Sequence, residues 1–382
     1  MRRRRAATNE FTPILRAGLQ VEHSGGGWVL LDTPAEAARD KAFGVFQRAD
    51  GRPREPRLDP RGAAPHWAAA GGPPAVAFFV GDLSAGSSES LELRTVDVAS
   101  GAVAGLARPT STVIDGFSKP VGGVGLALFS THRNAYLRHW FGTYPSRNGR
   151  RYAWWTDQGP TTNTGGVAVM DLGPAPPTLL GTLLAWPPSR GRILGARITP
   201  SGGAVLVHFQ AAGVFVYDTA LTTGRRVMAT RLLDDDAADV MVAAGSGHDT
   251  LVAINDEEGT EDGGWVVAVD LVTLGRAPLF PLPRDGGARG GRPRVTVSGQ
   301  AYNRPGWVVL SADPCDAGAD GDWLCGKVVA MEVASRRVVP LAHTHACGAR
   351  RENPGAAASP NVDLSRVYFA SASGRCRGEM EL

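Results

Sequence analysis

Two histidines one residue apart lie near the end of the chain, in HTHACGARRENPG. In an extended chain, side chains two positions apart point to the same side, so His343 and His345 are candidate ligands of a divalent transition metal. His248, in GSGHDT, is a third candidate if its turn folds toward them. A catalytic cation normally keeps about three protein ligands. A solvated pair in a polar loop is the other interpretation of the two histidines.

A second candidate site is the stretch 131–158, which is rich in aromatic and arginine residues. Aromatic faces stack on sugar rings and guanidinium groups pair with carboxylates, so this composition predicts binding of an acidic saccharide. Stacking on nucleic-acid bases would use similar residues, and the aromatics could instead pack the loop against its own sheet. We expect a surface insertion whose ligand-binding residues are Arg133, Trp140, Tyr144, Trp154 and Trp155.

Composition and charge restrict the classes of partner. The chain is 43% hydrophobic and 20% charged, which is typical of a globular protein with a sizeable core. The formal charge of +3 owes much to four arginines at positions 2–5, so the remainder is near neutral and no nucleic-acid partner is expected. No apolar run approaches the length that spans a membrane, and we expect a monomer with no membrane partner.

The four cysteines, Cys315, Cys325, Cys347 and Cys376, all lie in the last fifth of the chain. An even number in one region is compatible with two local disulfides, although four free thiols would give the same pattern. A link between Cys315 and Cys325 would clamp a short hairpin and would indicate an oxidising compartment. The first twenty residues lack the apolar core of a signal peptide, so the sequence leaves the compartment open.

The elements that must position these residues repeat along the chain. Five segments share an alternating apolar strand that ends in an acidic residue, then a turn, then a second apolar stretch. The acidic residues are Asp97, Asp171, Asp218, Asp270 and Glu332. This spacing suits one four-stranded sheet per repeat, and period-2 alternation predicts an all-β propeller. We expect one domain over residues 1–382 with a basic tail at 1–10. We further expect seven blades, or six, in a ring closed by strands from both chain ends.

Three stretches carry a resemblance to a known family. SGQAYNRPGWVVLSA (residues 298–312), VVPLAHTHA and NPGAAASPNVDLSRVYFASASG resemble the carboxy-terminal blades of bacterial propellers similar to oligogalacturonate lyases. The resemblance covers the chain from Asp234 onward. It implies a seven-bladed propeller and a histidine-rich metal site near the axis that helps to abstract a proton from an acidic sugar.

The chain departs from the pattern that this resemblance implies. Ala237, Thr296 and Gly355 stand where histidines are expected, whereas Asp239 is kept and His343 remains in register. The resemblance therefore implies a metal site that has lost ligands.

Three functions follow from these residues. The leading hypothesis is a propeller that binds an acidic saccharide at its axial face, with Asn303 among the ligand-binding residues. The alternative is an active metal-dependent polysaccharide lyase. In that case the three histidines hold the cation, while Arg304 or Arg133 neutralises the substrate carboxylate or assists proton abstraction. The third is a protein-interaction scaffold, which needs no special residues.

Overall fold

A computed structural model describes sixteen segments of the chain. They are residues 22–23, 28–31, 44–47, 53–54, 63–68, 75–80, 92–107, 145–156, 166–173, 178–183, 185–229, 237–257, 259–282, 295–313, 323–344 and 357–369. Within these segments the secondary structure is β-strand apart from a short 3-10 helix at Pro188–Arg190. No helix in these segments has the length and apolar character needed to span a membrane.

The strands form seven antiparallel sheets in chain order. The first sheet holds β1 (Glu22–His23), β2 (Trp28–Leu31), β3 (Gly44–Gln47) and β4 (Pro53–Arg54). The second holds β5 (Ala63–Trp67), β6 (Ala75–Val80), β7 (Glu92–Asp97) and β8 (Val103–Ala107). The third holds β9 (Arg151–Thr156), β10 (Gly166–Asp171) and β11 (Thr178–Leu183).

The later sheets follow the same plan. The fourth holds β12 (Ile193–Ile198), β13 (Ala204–Phe209), β14 (Gly213–Asp218) and β15 (Gly224–Met228). The fifth holds β16 (Ala238–Val242), β17 (Asp249–Asn255), β18 (Trp265–Asp270) and β19 (Arg276–Pro281). The sixth holds β20 (Val295–Ser298), β21 (Trp307–Ala312), β22 (Lys327–Glu332) and β23 (Arg337–His343). The seventh holds β24 (Ala358–Pro360) and β25 (Val367–Phe369).

The predicted all-β propeller is confirmed, but the blade count differs from the prediction. Five sheets have four strands, the third has three and the seventh has two, so the described residues form five complete blades rather than seven or six. Any strand that completes the two smaller sheets would have to lie outside the described segments. A ring closed by strands from both chain ends is also not seen there, because β2 pairs with β1 and β3 and stays in an amino-terminal sheet.

The acidic residues of the repeat end a strand and hold the turn that follows it. Asp218, at the end of β14, accepts a hydrogen bond from the backbone N of Thr222 at 2.9 Å. Asp97 accepts one from the backbone N of Ser100 at 2.7 Å, and Asp270 accepts one from Thr273 at 2.9 Å. A short carboxylate that bonds to backbone N–H groups two to four residues ahead stabilises a tight turn. The repeated acid is therefore a turn-forming residue.

Burial shows which strand of each blade lies innermost. Every residue of β20 is buried, whereas β23, the fourth strand of the same sheet, is largely exposed. Buried apolar side chains fill the spaces between neighbouring sheets: Val240 packs toward the fourth sheet and Met241 toward the sixth. The first strands β12, β16, β20 and β24 therefore lie nearest the axis.

The turns between first and second strands meet at one end of the propeller, which we call the turn face. It comprises residues 199–203, 243–248, 299–306 and 361–366, together with 145–150 before β9. Backbone hydrogen bonds join these turns: Gly306 donates to Val242 at 2.7 Å, and Arg147 donates to Pro200 at 2.8 Å. The connections between successive sheets lie at the other end, the crossover face.

Candidate functional site

Four of the predicted site residues lie outside the described segments, and two others lie in a strand rather than in a loop. Arg133, Trp140, Tyr144 and His345 are outside those segments. Trp154 and Trp155 belong to β9, where they pair with Ala168 and Val167. The expected surface insertion therefore includes a strand over 151–156, because this stretch supplies a neighbour for β10. Tyr152, in the same strand, is fully buried.

The structure does not bring His343 and His248 together. His343 is the exposed last residue of β23 and pairs with Lys327, at the end of the sixth sheet where β20 begins. His248 lies on the turn face, immediately before β17. The two histidines are therefore at opposite ends of the strands. Within the described segments, no three histidine, cysteine or acidic side chains are grouped in a way that could hold a metal ion.

His248 already has a partner on the turn face. Its Nδ1 lies 2.8 Å from Oδ2 of Asp270. Burial would raise the pKa of the Asp270 carboxyl, but hydrogen bonds from the backbone of Thr273, from His248 and from the backbone of Val272 lower that pKa to about 2. The carboxylate is charged at neutral pH and orients the imidazole as part of a turn.

Two exposed arginines lie in turns of the turn face that are in contact with each other. Asn303 and Arg304 are exposed in the turn 299–306. Arg147 is exposed in the turn 145–150, and its Nη1 donates a hydrogen bond of 3.4 Å to the main-chain oxygen of Tyr302. No carboxylate among the described residues forms an ion pair with either arginine. The guanidinium group of Arg304 lies over the ring of Trp307, 5.7 Å from its centre. The turn face therefore presents two guanidinium charges that no carboxylate of the described residues neutralises.

A buried ion pair lies beneath these arginines, on the axial strands of the fourth and fifth sheets. Arg197 in β12 donates from Nη1 to Oδ1 of Asp239 in β16, and the two side chains are 4% and 0% exposed. Oδ2 of Asp239 accepts hydrogen bonds from the backbone N of Gly299 at 2.7 Å and from Nε2 of Gln300 at 3.1 Å. Asp239 thus connects three consecutive blades and acts only as an acceptor, the pattern of an ionised carboxylate.

Register shows that three buried polar residues occupy equivalent positions in successive blades. In each blade, one residue of the second strand pairs with the acidic residue of the repeat. The buried polar residue pairs with the second-strand residue two positions after that one. The pairs are Arg197 with Leu206, Asp239 with Val252, and Ser298 with Val309. Ser298 is fully buried, and its Oγ has no hydrogen-bond partner among the described residues. Polar residues at this level of the axial strands form a row just inside the turn face.

Tyr302 lies between this row and the exposed arginines. Its side chain is 6% exposed. Burial raises the pKa of the Tyr302 hydroxyl above its usual range, although the nearby charge of Arg197 acts in the opposite direction. The phenol is therefore neutral at physiological pH. The charge of the turn face comes from Arg147 and Arg304, and the main-chain oxygen of Tyr302 accepts the hydrogen bond from Arg147.

The arrangement can bind an anion through charge-assisted hydrogen bonds. Guanidinium groups are donors only and stay protonated, so Arg147 and Arg304 act on a ligand by electrostatics and positioning. Arg304 and Asn303 were predicted from the sequence, whereas Arg147, Arg197 and Tyr302 were not. Arg197 is equivalent to Asp239 only in strand register, which the sequence does not show directly. Nothing local marks Arg147, because its partner lies in another blade.

Comparison with known proteins supports the β-propeller fold. No protein-family profile matches the sequence, and no curated protein matches it. An oligogalacturonate lyase from Vibrio parahaemolyticus has a similar structure, with a TM-score of 0.57 and 8% identity over 94% of this chain and 87% of that one. An oligogalacturonate lyase in complex with manganese gives a TM-score of 0.54 and 11% identity over 94% of this chain and 86% of that one.

These likenesses raise the question of a manganese site. The described residues do not fit one, because His248 is bonded to Asp270 and His343 lies at the other end of the strands. At identities of 8% and 11%, what the comparisons show is that this chain has the β-propeller fold of these lyases.

Proposed function

We propose that this propeller binds an acidic saccharide at the axial mouth of its turn face. The observation that carries the proposal is the pair of exposed guanidinium groups, Arg147 and Arg304, which no described carboxylate neutralises. Asn303, exposed beside Arg304, offers both donors and acceptors to sugar hydroxyl groups. Both arginines lie on the turn face, so the proposal assigns binding to that end of the propeller rather than to the end where His343 lies.

Guanidinium groups suit the carboxylate of a uronic acid. Their fork of N–H donors matches the two carboxylate oxygens, and such charge-assisted bonds are stronger than those between neutral groups. A hydrogen bond to a charged group contributes about 1.5–3 kcal/mol, so each arginine that reaches a carboxylate accounts for about a tenfold change in Kd or more. A neutral sugar of the same shape would lose these contacts.

The aromatic residues of 131–158 belong to the same proposal. Tyr144 precedes Arg147 by three positions, and Arg133 and Trp140 lie upstream in the same stretch. We include these residues, with Trp154 and Trp155, as contributors to sugar stacking.

The test is calorimetric titration with an oligomer of galacturonic acid and, as a comparison, a neutral galactose oligomer of equal length. We expect binding of the acidic oligomer only. Arg147→Gln and Arg304→Gln should each raise its Kd about tenfold. Arg226→Gln is the matched control, because Arg226 is exposed on β15, an outer strand far from the axis.

Absence of binding to the acidic oligomer would reject the proposal. Equal losses in the control variant would mean that general positive charge accounts for the attraction. Unchanged Kd in both Arg147→Gln and Arg304→Gln would place the site elsewhere.

A further inference from the structure

We propose that Asp239 is a positioning residue for ligand recognition: it holds the turn 299–306 in the conformation that presents Asn303 and Arg304. This inference rests on the proposed function, because it concerns the same mouth. Asp239 is fully buried, so it acts through the turn rather than by touching the ligand.

The start of the turn is fastened to Asp239 by two hydrogen bonds. The backbone N of Gly299 and Nε2 of Gln300 both donate to Oδ2, at 2.7 Å and 3.1 Å. Gly299 also approaches the fifth sheet closely, since a Cβ at this position would lie 2.5 Å from the main-chain oxygen of Val240. The sixth blade thus enters its turn in direct contact with the strand that carries Asp239.

The far end of the turn is fastened to the same strand. The backbone N of Gly306 donates to the oxygen of Val242 at 2.7 Å, and its φ of +86° is a conformation that favours glycine. In between, the backbone N of Asn303 donates to the oxygen of Val362 in the seventh sheet at 2.7 Å. The turn is therefore tied to both neighbouring blades.

Arg197 binds the other oxygen of the Asp239 carboxylate. It holds Oδ1 of Asp239 while the turn holds Oδ2, so the carboxylate cannot rotate without breaking bonds to two blades. A buried ion pair is weak evidence for stability, since a well-packed apolar pair of similar volume often does as well. The hydrogen-bonding pattern instead supports a role in fixing the turn, whose exposed residues are thereby ordered before a ligand arrives.

Two variants separate positioning from folding. Asp239→Asn places a donor or a weaker acceptor opposite Gly299, and Gln300→Met removes one hydrogen bond while leaving the ion pair in place. The control is Val207→Ala, a buried residue between the third and fourth sheets, which lowers stability without touching the turn. Amide hydrogen exchange over 299–306 and the Kd for the galacturonic acid oligomer are measured well below each unfolding temperature.

We expect exchange of the 299–306 amides to become at least tenfold faster in Asp239→Asn, with a smaller increase in Gln300→Met. The Kd should rise about tenfold and about threefold respectively, whereas Val207→Ala should change neither. Arg304→Gln should add little to Asp239→Asn, because the arginine is already misplaced there.

The outcomes distinguish this inference from the function on which it rests. If Arg304→Gln weakens binding while Asp239→Asn and Gln300→Met leave the Kd unchanged, positioning by Asp239 is overturned and the binding site stands. If Arg304→Gln itself has no effect, the proposed function fails. If Asp239→Asn does not fold, an unchanged Kd and unchanged exchange in Gln300→Met overturn the inference.

Discussion

Arg147 and Tyr302 are 155 positions apart in the chain, yet Nη1 of Arg147 donates a hydrogen bond of 3.4 Å to the main-chain oxygen of Tyr302. The two residues come from the third and sixth sheets, which have two other sheets between them in chain order. The contact therefore reaches across the axis of the propeller. It places the side chain of Arg147 against the turn 299–306, which also carries Arg304.

Binding at this mouth should depend on salt. Exposed charges are screened over about 10 Å at 0.1 M ionic strength and about 3 Å at 1 M, so the attraction of Arg147 and Arg304 for carboxylates weakens as salt rises. We expect the Kd of the acidic oligomer to increase several-fold between about 0.05 M and about 0.5 M sodium chloride. Arg147→Gln should reduce the slope of log Kd against log salt, and Arg226→Gln should not. Titrations at four salt concentrations measure this slope. The prediction would be contradicted if Arg147→Gln had the same slope as the native protein.

Acid should destabilise the propeller through His208. Burial in β13 lowers the pKa of His208 to about 4. The unfolded chain takes up a proton near pH 6.5 while the folded chain does not, so the stability present above pH 6.5 is lost as pH falls toward 4. A difference of this size corresponds to about 3 kcal/mol. Denaturant unfolding between pH 7.5 and 4 should show that the free energy of unfolding falls less steeply with pH in His208→Leu than in the native protein. Parallel declines would show that other groups cause the acid sensitivity.

Removing one partner of the buried ion pair between Arg197 and Asp239 should lower the free energy of unfolding more than removing both charges. Arg197→Met leaves the carboxylate of Asp239 buried without its counter-charge, which typically costs about 3–5 kcal/mol. Arg197→Met with Asp239→Asn removes both charges, so part of that loss should be recovered. The free energy of unfolding of the two variants and of the native protein measures this. A double variant no more stable than Arg197→Met would show that the hydrogen bonds of Asp239, rather than its charge, dominate.

Cys325 is disulfide-bonded in the structure, and its partner lies outside the described residues. We predict that the partner is Cys315, ten positions earlier, because such a link would close the hairpin between β21 and β22. Peptide mapping of unreduced protein by mass spectrometry should recover the two cysteines in one linked fragment. A fragment that joins Cys325 to Cys347 or Cys376 would replace this pairing, and two free thiols in protein made under oxidising conditions would exclude it.

The sequence by itself predicted the all-β propeller class but not the number of complete blades. The short apolar runs of β14 and β18, and the acids Asp218 and Asp270 that end them, predicted short antiparallel strands joined by tight turns. These signals are local, because a strand's period and a carboxylate's bonds to the next few N–H groups depend on residues close in the chain. The same local evidence could not show that Trp154 and Trp155 belong to a strand, since their pairing partners, Ala168 and Val167, follow 14 and 12 positions later in the chain.

The tertiary structure alone decided which residues share a site. His248 was a candidate third ligand beside His343, but the two lie at opposite ends of the strands, because each blade reverses direction three times between its axial and outer strands. Arg147, Arg197, Asp239 and Tyr302 come from four different sheets and meet only when the sheets pack around one axis. Contacts of that range depend on how the whole ring packs, which no short stretch of sequence encodes.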